Sequence, residues 1–228
     1  MTRAALFDVD GTLVDTNYLH AATWWEALRQ AGHRVPCHAL HGAIGLGGRD
    51  LLDHVLGTGD RNRDRDAAIS AAHKALYGAF HERLTAFDRA GDLLRGLADR
   101  GWRVVLVTSA GVGELGALRR AIGADDVLTE IASADDVSEG KPAPEPVEQA
   151  RRVAGASAEE TVFVGDSVWD MRAAVRAGVT PLAVLSGGIP RADLELAGAQ
   201  EVYADPADLL ARLDGSAFAR LEGSTAPD

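Results

Sequence analysis

Short unbroken apolar runs alternate with helical stretches over most of the chain. The runs at 102–107, 127–132, 161–165 and 180–185 are too short for buried helices and lack polar alternation. That pattern predicts strands covered on both faces. Helices predicted at 93–98, 114–122, 145–154 and 170–177 separate them, and a last strand at 201–204 precedes a helix over 206–213. Strand–helix alternation with short connections predicts a parallel sheet with right-handed crossovers. Residues 4–7 read as a first strand of the same kind, ending abruptly on Asp8-Val9-Asp10-Gly11.

Residues 15–86 break this rhythm. Leu19, Ala22, Trp25, Leu28 and Ala31 recur at three- and four-residue spacing, which predicts a helix over 18–31 that Gly32 ends. A glycine-rich turn (Gly42, Gly45, Gly47, Gly48), a short helix over 49–56 and a charged connector over 58–66 follow. Ile69, Ala72, Leu76, Phe80 and Leu84 then predict a helix over 67–84. The block contains no strand signal. The expected organisation is an α/β core from residues 1–14 and 87–214, a small α-helical domain inserted at 15–86, and a loose polar tail over 215–228.

Chemistry gathers where the predicted strands end. Asp8 and Asp10 sit at the carboxyl end of the first strand, the edge where open α/β sheets keep their ligands, and Gly11 permits a sharp exit. Two adjacent carboxylates repel, so they imply a cation nearby. A calcium loop starting at Asp8 fails, because its sixth and twelfth positions would hold Leu13 and Leu19 instead of Gly and Glu. The second strand ends on Thr108-Ser109, whose hydroxyls and free N–H groups suit an anion or simply cap a turn. Gly111-Val112-Gly113-Glu114-Leu115-Gly116 matches a dinucleotide fingerprint, with Glu130 beyond it, but leaves Asp8 and Asp10 unexplained.

Two further stretches complete the set. Gly140-Lys141-Pro142 holds one of only two lysines, and an ammonium there suits a phosphoryl oxygen and a carboxylate; a solvated surface lysine is the plainer reading. Another strand ends on Gly165-Asp166-Ser167, with Asp170 four residues past Asp166 at a helix start, where it could also act as a cap. Four carboxylates on one sheet edge and oxygen-only ligands point to Mg²⁺ rather than zinc.

Composition narrows the partners. A net charge of −11 argues against nucleic acid or an anionic membrane as main partner. Cys37 is the only cysteine, which excludes disulfide frameworks and fits a reducing cytoplasm. No run approaches membrane-spanning length. The expectation is a cytoplasmic protein, monomer or homodimer.

Taken in order, Asp8-Val9-Asp10-Gly11-Thr12-Leu13-Val14-Asp15, Val107-Thr108-Ser109, Gly140-Lys141-Pro142 and Gly165-Asp166-Ser167 with Asp170 resemble the haloacid-dehalogenase-type phosphatases. The resemblance extends to about residue 213, and the helical block resembles the small α-helical cap of phosphoglycolate phosphatase-like and β-phosphoglucomutase-like members. It implies a Rossmann-like core and an Mg²⁺-dependent phosphomonoester hydrolase acting on a small phosphorylated metabolite. Asp8 would be the nucleophile that forms an aspartyl-phosphate, and Asp10 the general acid and base. Asp8, the Asp10 backbone carbonyl and Asp166 would hold Mg²⁺, with Asp170 behind them. Thr108, Ser109 and Lys141 would neutralise the phosphoryl oxygens, and Arg49 is a candidate substrate grip. Tyr18, His20 and Trp24 are candidates for the same cleft. The second acid, Asp10, disfavours the dehalogenase branch; Lys74, in mid-helix, is a poor Schiff-base candidate for the phosphonate-cleaving one. A sugar phosphomutase using the same covalent chemistry is the alternative, and a non-catalytic metal-binding protein the distant one.

Overall fold

A computed structural model describes residues 2–133 and 139–223. In chain order its elements are β1 (Arg3–Phe7), α1 (Asn17–Gln30), α2 (Cys37–His41), α3 (Gly48–Leu56), α4 (Arg63–Gly78), α5 (Ala90–Asp99) and β2 (Trp102–Thr108). There follow α6 (Val112–Ile122), β3 (Leu128–Ser133), α7 (Glu145–Ala154), β4 (Thr161–Gly165), α8 (Val168–Arg176) and β5 (Thr180–Val184). The chain closes with α9 (Arg191–Ala197), β6 (Glu201–Tyr203), α10 (Pro206–Ala211) and α11 (Ala217–Gly223). The six strands form one parallel sheet in the order β3-β2-β1-β4-β5-β6.

β1 lies in the middle of this sheet, and Ala4 to Phe7 are fully buried. Side chains alternate across a strand. Ala5 and Phe7 therefore face one layer, packing with Leu93, Leu94 and Leu97 of α5 and with Leu209 of α10. Ala4 and Leu6 face the other, against Val147 and Ala150 of α7 and Ala173 and Ala174 of α8. Helices cover both faces, as the continuous apolar strands require. From β1 the chain steps outward to β2 and β3, then crosses back to build β4, β5 and β6 on the other side. Reversal of strand order opens a crevice at the carboxyl ends of β1 and β4.

The segment between β1 and α5 is helical. Val14 and Ala86 pair as an antiparallel bridge, and Asp15 N–H donates to Thr85 O at 3.0 Å while Phe87 N–H donates to Leu13 O at 2.9 Å. The outgoing and returning chains are thus tied together. α1–α4 share their own apolar cluster, including Trp24, Leu28, Leu40, Leu51, Leu52 and Ile69, with Trp169 of α8 packed against it. Among the described residues no helix is long and apolar enough to cross a membrane.

Four expectations change. The segment after Gly215 is not a loose tail: α11 runs from Ala217 to Gly223, while 224–228 lie outside the described residues. Phe218 is fully buried, its ring centroid 6.5 Å from Phe7 and 4.9 Å from Trp102, whose Nε1–H donates to Glu222 Oε1 at 2.7 Å. One aromatic anchor docks a seven-residue helix too short to show a period. We expect Phe218→Ala to lower the unfolding free energy by about 3–5 kcal/mol; in urea denaturation, a loss below about 1 kcal/mol would show that α11 is not part of the core.

The buried face of α1 is also out of phase with its apolar period: Asn17, His20, Ala21, Thr23, Trp24, Ala27 and Leu28 are buried, whereas Ala22 is exposed. Likewise α4 begins at Arg63, inside the expected connector, under an Asn62 cap that accepts from Asp64 N and Arg65 N, and it buries His73 and Tyr77 with Ile69. Polar and ring side chains occupy the inner faces because those faces meet the crevice. The short helices α2 and α9 carry too few residues to announce a period and are additions to the predicted set.

Candidate active site

The turn after β1 sets the geometry. Leu13 N–H and Val14 N–H both donate to Val9 O, at 2.9 and 3.0 Å, and Gly11 sits at φ +76°. A Cβ on Gly11 would lie 2.3 Å from Asn17 Nδ2 and 2.5 Å from Asp166 Oδ2, so the close approach needs glycine there as much as the turn does. Gly187, in the loop after β5, is closer still: its Cβ would sit 1.7 Å from Asp166 Oδ2.

Inside this collar stand three buried carboxylates and one buried ammonium. Lys141 Nζ is 2.5 Å from Asp8 Oδ1, 2.7 Å from Asp170 Oδ1 and 3.4 Å from Val107 O. Lys141 is only 5% exposed, which rules out the solvated reading. Asp166 closes the group: the Thr12 hydroxyl lies 3.0 Å from its Oδ1 and 3.2 Å from Asp8 Oδ2, and Asn17 Nδ2–H donates to its Oδ2 at 2.7 Å. Ser167 caps α8 and Asp170, the third residue of that helix, closes a capping box with it, its Oδ2 accepting from Ser167 N–H at 3.0 Å and from the Ser167 hydroxyl at 2.6 Å. Asp8, Asp166 and Asp170 each offer an oxygen within 4.8 Å of the others.

Such a cluster is short of positive charge. Burial pushes the Asp8 carboxyl up to about 7, with Asp170 and Asp10 adding to the shift and Lys141 opposing it. Burial, then Asp8 and Asp170, raise Asp166 well above the ordinary carboxylate range. Lys141 is shifted up instead, because Asp170 and Asp8 outweigh the cost of burying its charge. An all-oxygen, buried, over-acidic donor set fits a hard divalent cation.

Asp10 faces a second group. Its Oδ1 accepts from the Thr16 hydroxyl at 2.7 Å and lies 3.2 Å from His20 Nε2, and its carboxylate is grouped with His20 and Glu114 instead of the other three aspartates. Burial disfavours its ionised form, but the charge and hydrogen bond of His20 and the Thr16 hydroxyl more than offset that, holding Asp10 below the usual range. His20 is correspondingly raised against the effect of burial, mainly by Asp10 and then Glu114. His73 is pushed down to about 3 by burial and by His20. A neutral His73 whose Nε2 accepts from His20 Nδ1–H, 3.2 Å away, is the arrangement these shifts favour. Tyr77 stacks on His20 at 3.9 Å and Trp24 on His73 at 4.1 Å, fixing both rings.

Two concavities meet at Ser109. An open groove of about 690 Å³ is lined by Thr108, Ser109, Lys141 and Arg49, the last exposed on the first turn of α3. A cavity of about 90 Å³ runs from Asp8 and Asp10 past His20 and Trp24 to Glu114. Thr108 Oγ1 accepts from Ala110 N–H at 3.0 Å, so it serves the turn as well as lining the groove. Tyr18 departs from expectation: it is 62% exposed and stacks on His41, lining neither concavity. Its ring points out because Asn17 and His20 take the inward positions of the first turn.

Thr12, Asn17, His73, Glu114 and Gly187 are additions that the sequence reading missed. Glu114 lies inside the dinucleotide-like glycine run, which the structure does not use in that way. A Cβ on Gly111 or Gly113 would meet open space and one on Gly116 only the tip of Arg120, so no close backbone approach requires these glycines. The side chain of Glu130 falls outside the described residues.

Comparison with known proteins places this geometry in a family. The model of the haloacid dehalogenase-like hydrolases matches residues 2–178. The chain is 30% identical over 220 residues to a phosphoglycolate phosphatase of Rhodospirillum rubrum, covering 92% of this chain and 90% of that one. It is 29% identical over 183 residues to a pyrophosphatase, PpaX, of Oceanobacillus iheyensis, covering 80% of this chain and 83% of the relative. A crystal structure of a hydrolase from Pseudomonas syringae superposes with a TM-score of 0.88 at 33% identity, covering 94% of this chain and 99% of that one. The buried carboxylate–lysine cluster at the sheet's switch point thus belongs to an enzyme of the haloacid dehalogenase-like hydrolase family.

Proposed function

We propose that the protein hydrolyses phosphate monoesters of small metabolites with the help of Mg²⁺, through a covalent phosphoryl-enzyme intermediate. One observation carries this reading: Asp8, at the end of β1, lies 2.5 Å from Lys141 and within 4.8 Å of Asp166, while Asp10, two residues on, is turned toward the helical layer by Thr16 and His20. An Asp8 oxygen attacks phosphorus in line, the bond from phosphorus to the ester oxygen breaks, and that oxygen takes a proton through Asp10, to which the imidazolium of His20 at 3.2 Å passes it. Asp10 then takes a proton from water as the water attacks phosphorus and releases Asp8. Lys141, Thr108 and the Ser109 N–H spread positive charge over the transferring oxygens. Asp8, Asp166 and the Asp10 carbonyl would hold Mg²⁺ with Asp170 behind them, and the ion would neutralise charge on the nucleophile and phosphoryl group.

Residues 15–86 act as a cap over residues 1–14 and 87–214, with the antiparallel bridge between Val14 and Ala86 as its tether. Closure would exclude water from the phosphoryl site. Arg49, on the groove wall, is placed to meet the far end of a longer substrate. A mutase reading is not favoured: the relatives named above are phosphatases. A lone exposed thiol at Cys37 fits a cytoplasmic location.

The experiment is phosphate release from p-nitrophenyl phosphate by the purified protein. Activity falls on the order of 100-fold or more on chelation of divalent ions and returns with added Mg²⁺. Turnover indifferent to chelation removes the metal from the mechanism, and no turnover on any of a panel of phosphate esters removes the hydrolase reading.

A further inference from the structure

Glu114 stands in the small cavity without a use in the chemistry above. Its Oε1 is buried and accepts no hydrogen bond among the described residues. The nearest cationic atom is His20 Nε2 at 3.4 Å, but that nitrogen is hydrogen-bonded to Asp10 Oδ1 at 3.2 Å. A buried acceptor with no donor is costly, and the cost is recovered when a bound molecule supplies the donor. The other ionisable groups that line this cavity are Asp8, Asp10, His20, His73 and Lys74. His73 and His20 are engaged with each other, and Lys74 is exposed.

We propose that Glu114 selects the leaving group: its Oε1 accepts a hydrogen bond from a hydroxyl on the alcohol part of the ester and turns away an alcohol part that carries a carboxylate or a second phosphate there. The inference rests on the hydrolase reading and deepens it by naming the substrate class, a phosphorylated polyol. Glu114, Asp10 and His20 each offer an atom within 4.8 Å of the others, so Glu114 meets a group one or two carbons from the oxygen that Asp10 protonates. An anion at that point faces Asp10 and Glu114, with the one imidazolium of His20 shared between them and the solvated Lys74 beyond. Burial and Asp10 push the Glu114 carboxyl up to about 7, so the repulsion is complete only above that. Like charge then works against binding, while a hydroxyl satisfies the orphaned oxygen. A preference of this sort would separate the protein from the relative named a phosphoglycolate phosphatase.

Glycerol 3-phosphate and 2-phosphoglycolate form a matched pair of small esters, one with a hydroxyl and the other with a carboxylate beside the ester carbon. The expected kcat/KM is at least about tenfold higher for the hydroxylated ester, and Glu114→Gln narrows that ratio by about tenfold. Equal or reversed preference in the unaltered enzyme overturns the proposal without needing the variant to fold. A Glu114→Gln variant that slows both esters by one factor also overturns it, since that is how a residue that only positions His20 behaves. Turnover of p-nitrophenyl phosphate separates the two levels. With it present and no preference for hydroxylated esters, this inference alone fails; with no turnover of any ester, the hydrolase reading fails too.

Discussion

Asp8→Asn stops phosphate release while leaving a folded protein. An amide at this position keeps the shape of the turn but removes the attacking oxygen, and loss of a covalent nucleophile costs on the order of 10⁴-fold or more in kcat. Stability should move the other way. Asp8, Asp166 and Asp170 are all within 4.8 Å of one another and only one ammonium, Lys141, is buried with them, so a neutral residue at Asp8 relieves repulsion in the metal-free protein. In chelator the melting temperature of the variant equals or exceeds that of the unaltered protein. Retained turnover would remove Asp8 from the proposed chemistry, and a sharp drop in melting temperature would contradict the charge argument.

Lys141→Met has the opposite signature. It deletes the ammonium that joins Asp8 to Asp170 and leaves three buried carboxylates without their cation. Breaking a buried pair from one side costs about 3–5 kcal/mol, which for a chain of this size lowers the melting temperature by roughly 10 °C. Phosphate release falls by about 10³-fold, because charge on the transferring phosphoryl group loses its fixed partner. Adding Asp170→Asn restores part of the stability and none of the activity. If Lys141→Met melts with the unaltered protein, the ammonium is not holding the cluster together. Asp8→Asn and Lys141→Met thus distinguish a residue that reacts from one that also carries the fold.

Much of this architecture was legible along the chain. Strand patterns placed β1, β2, β4 and β5 to within a residue or two, because a strand buried on both faces leaves an unbroken apolar run whatever surrounds it. Asp8, Lys141, Asp166 and Asp170 could be named for a similar reason: Asp8 and Asp166 follow strand ends, Lys141 stands between Gly140 and Pro142, and Asp170 opens a helix, all features of local backbone preference. The second group was not legible in the same way. His20 was one of three candidates for the cleft, and of those Tyr18 points outward; His73 and Glu114 were missed. An apolar period assigns the inner face of a helix by greasiness, yet α1 and α4 turn Asn17, His20, His73 and Tyr77 inward because that face meets the crevice.

By itself, then, the sequence determined the parallel core, the helical insertion, which acids follow its strands and which lysine precedes a helix, since these depend on short-range pattern and backbone preference. Tertiary structure alone decided that Asp10 leans on Thr16 and His20, that Gly187 clears a path for Asp166, that Glu114 turns into the cavity and that Phe218 docks the last helix. Each of those contacts joins parts of the chain whose distance from one another is set by packing, and packing has no signature in the spacing of residues along one segment.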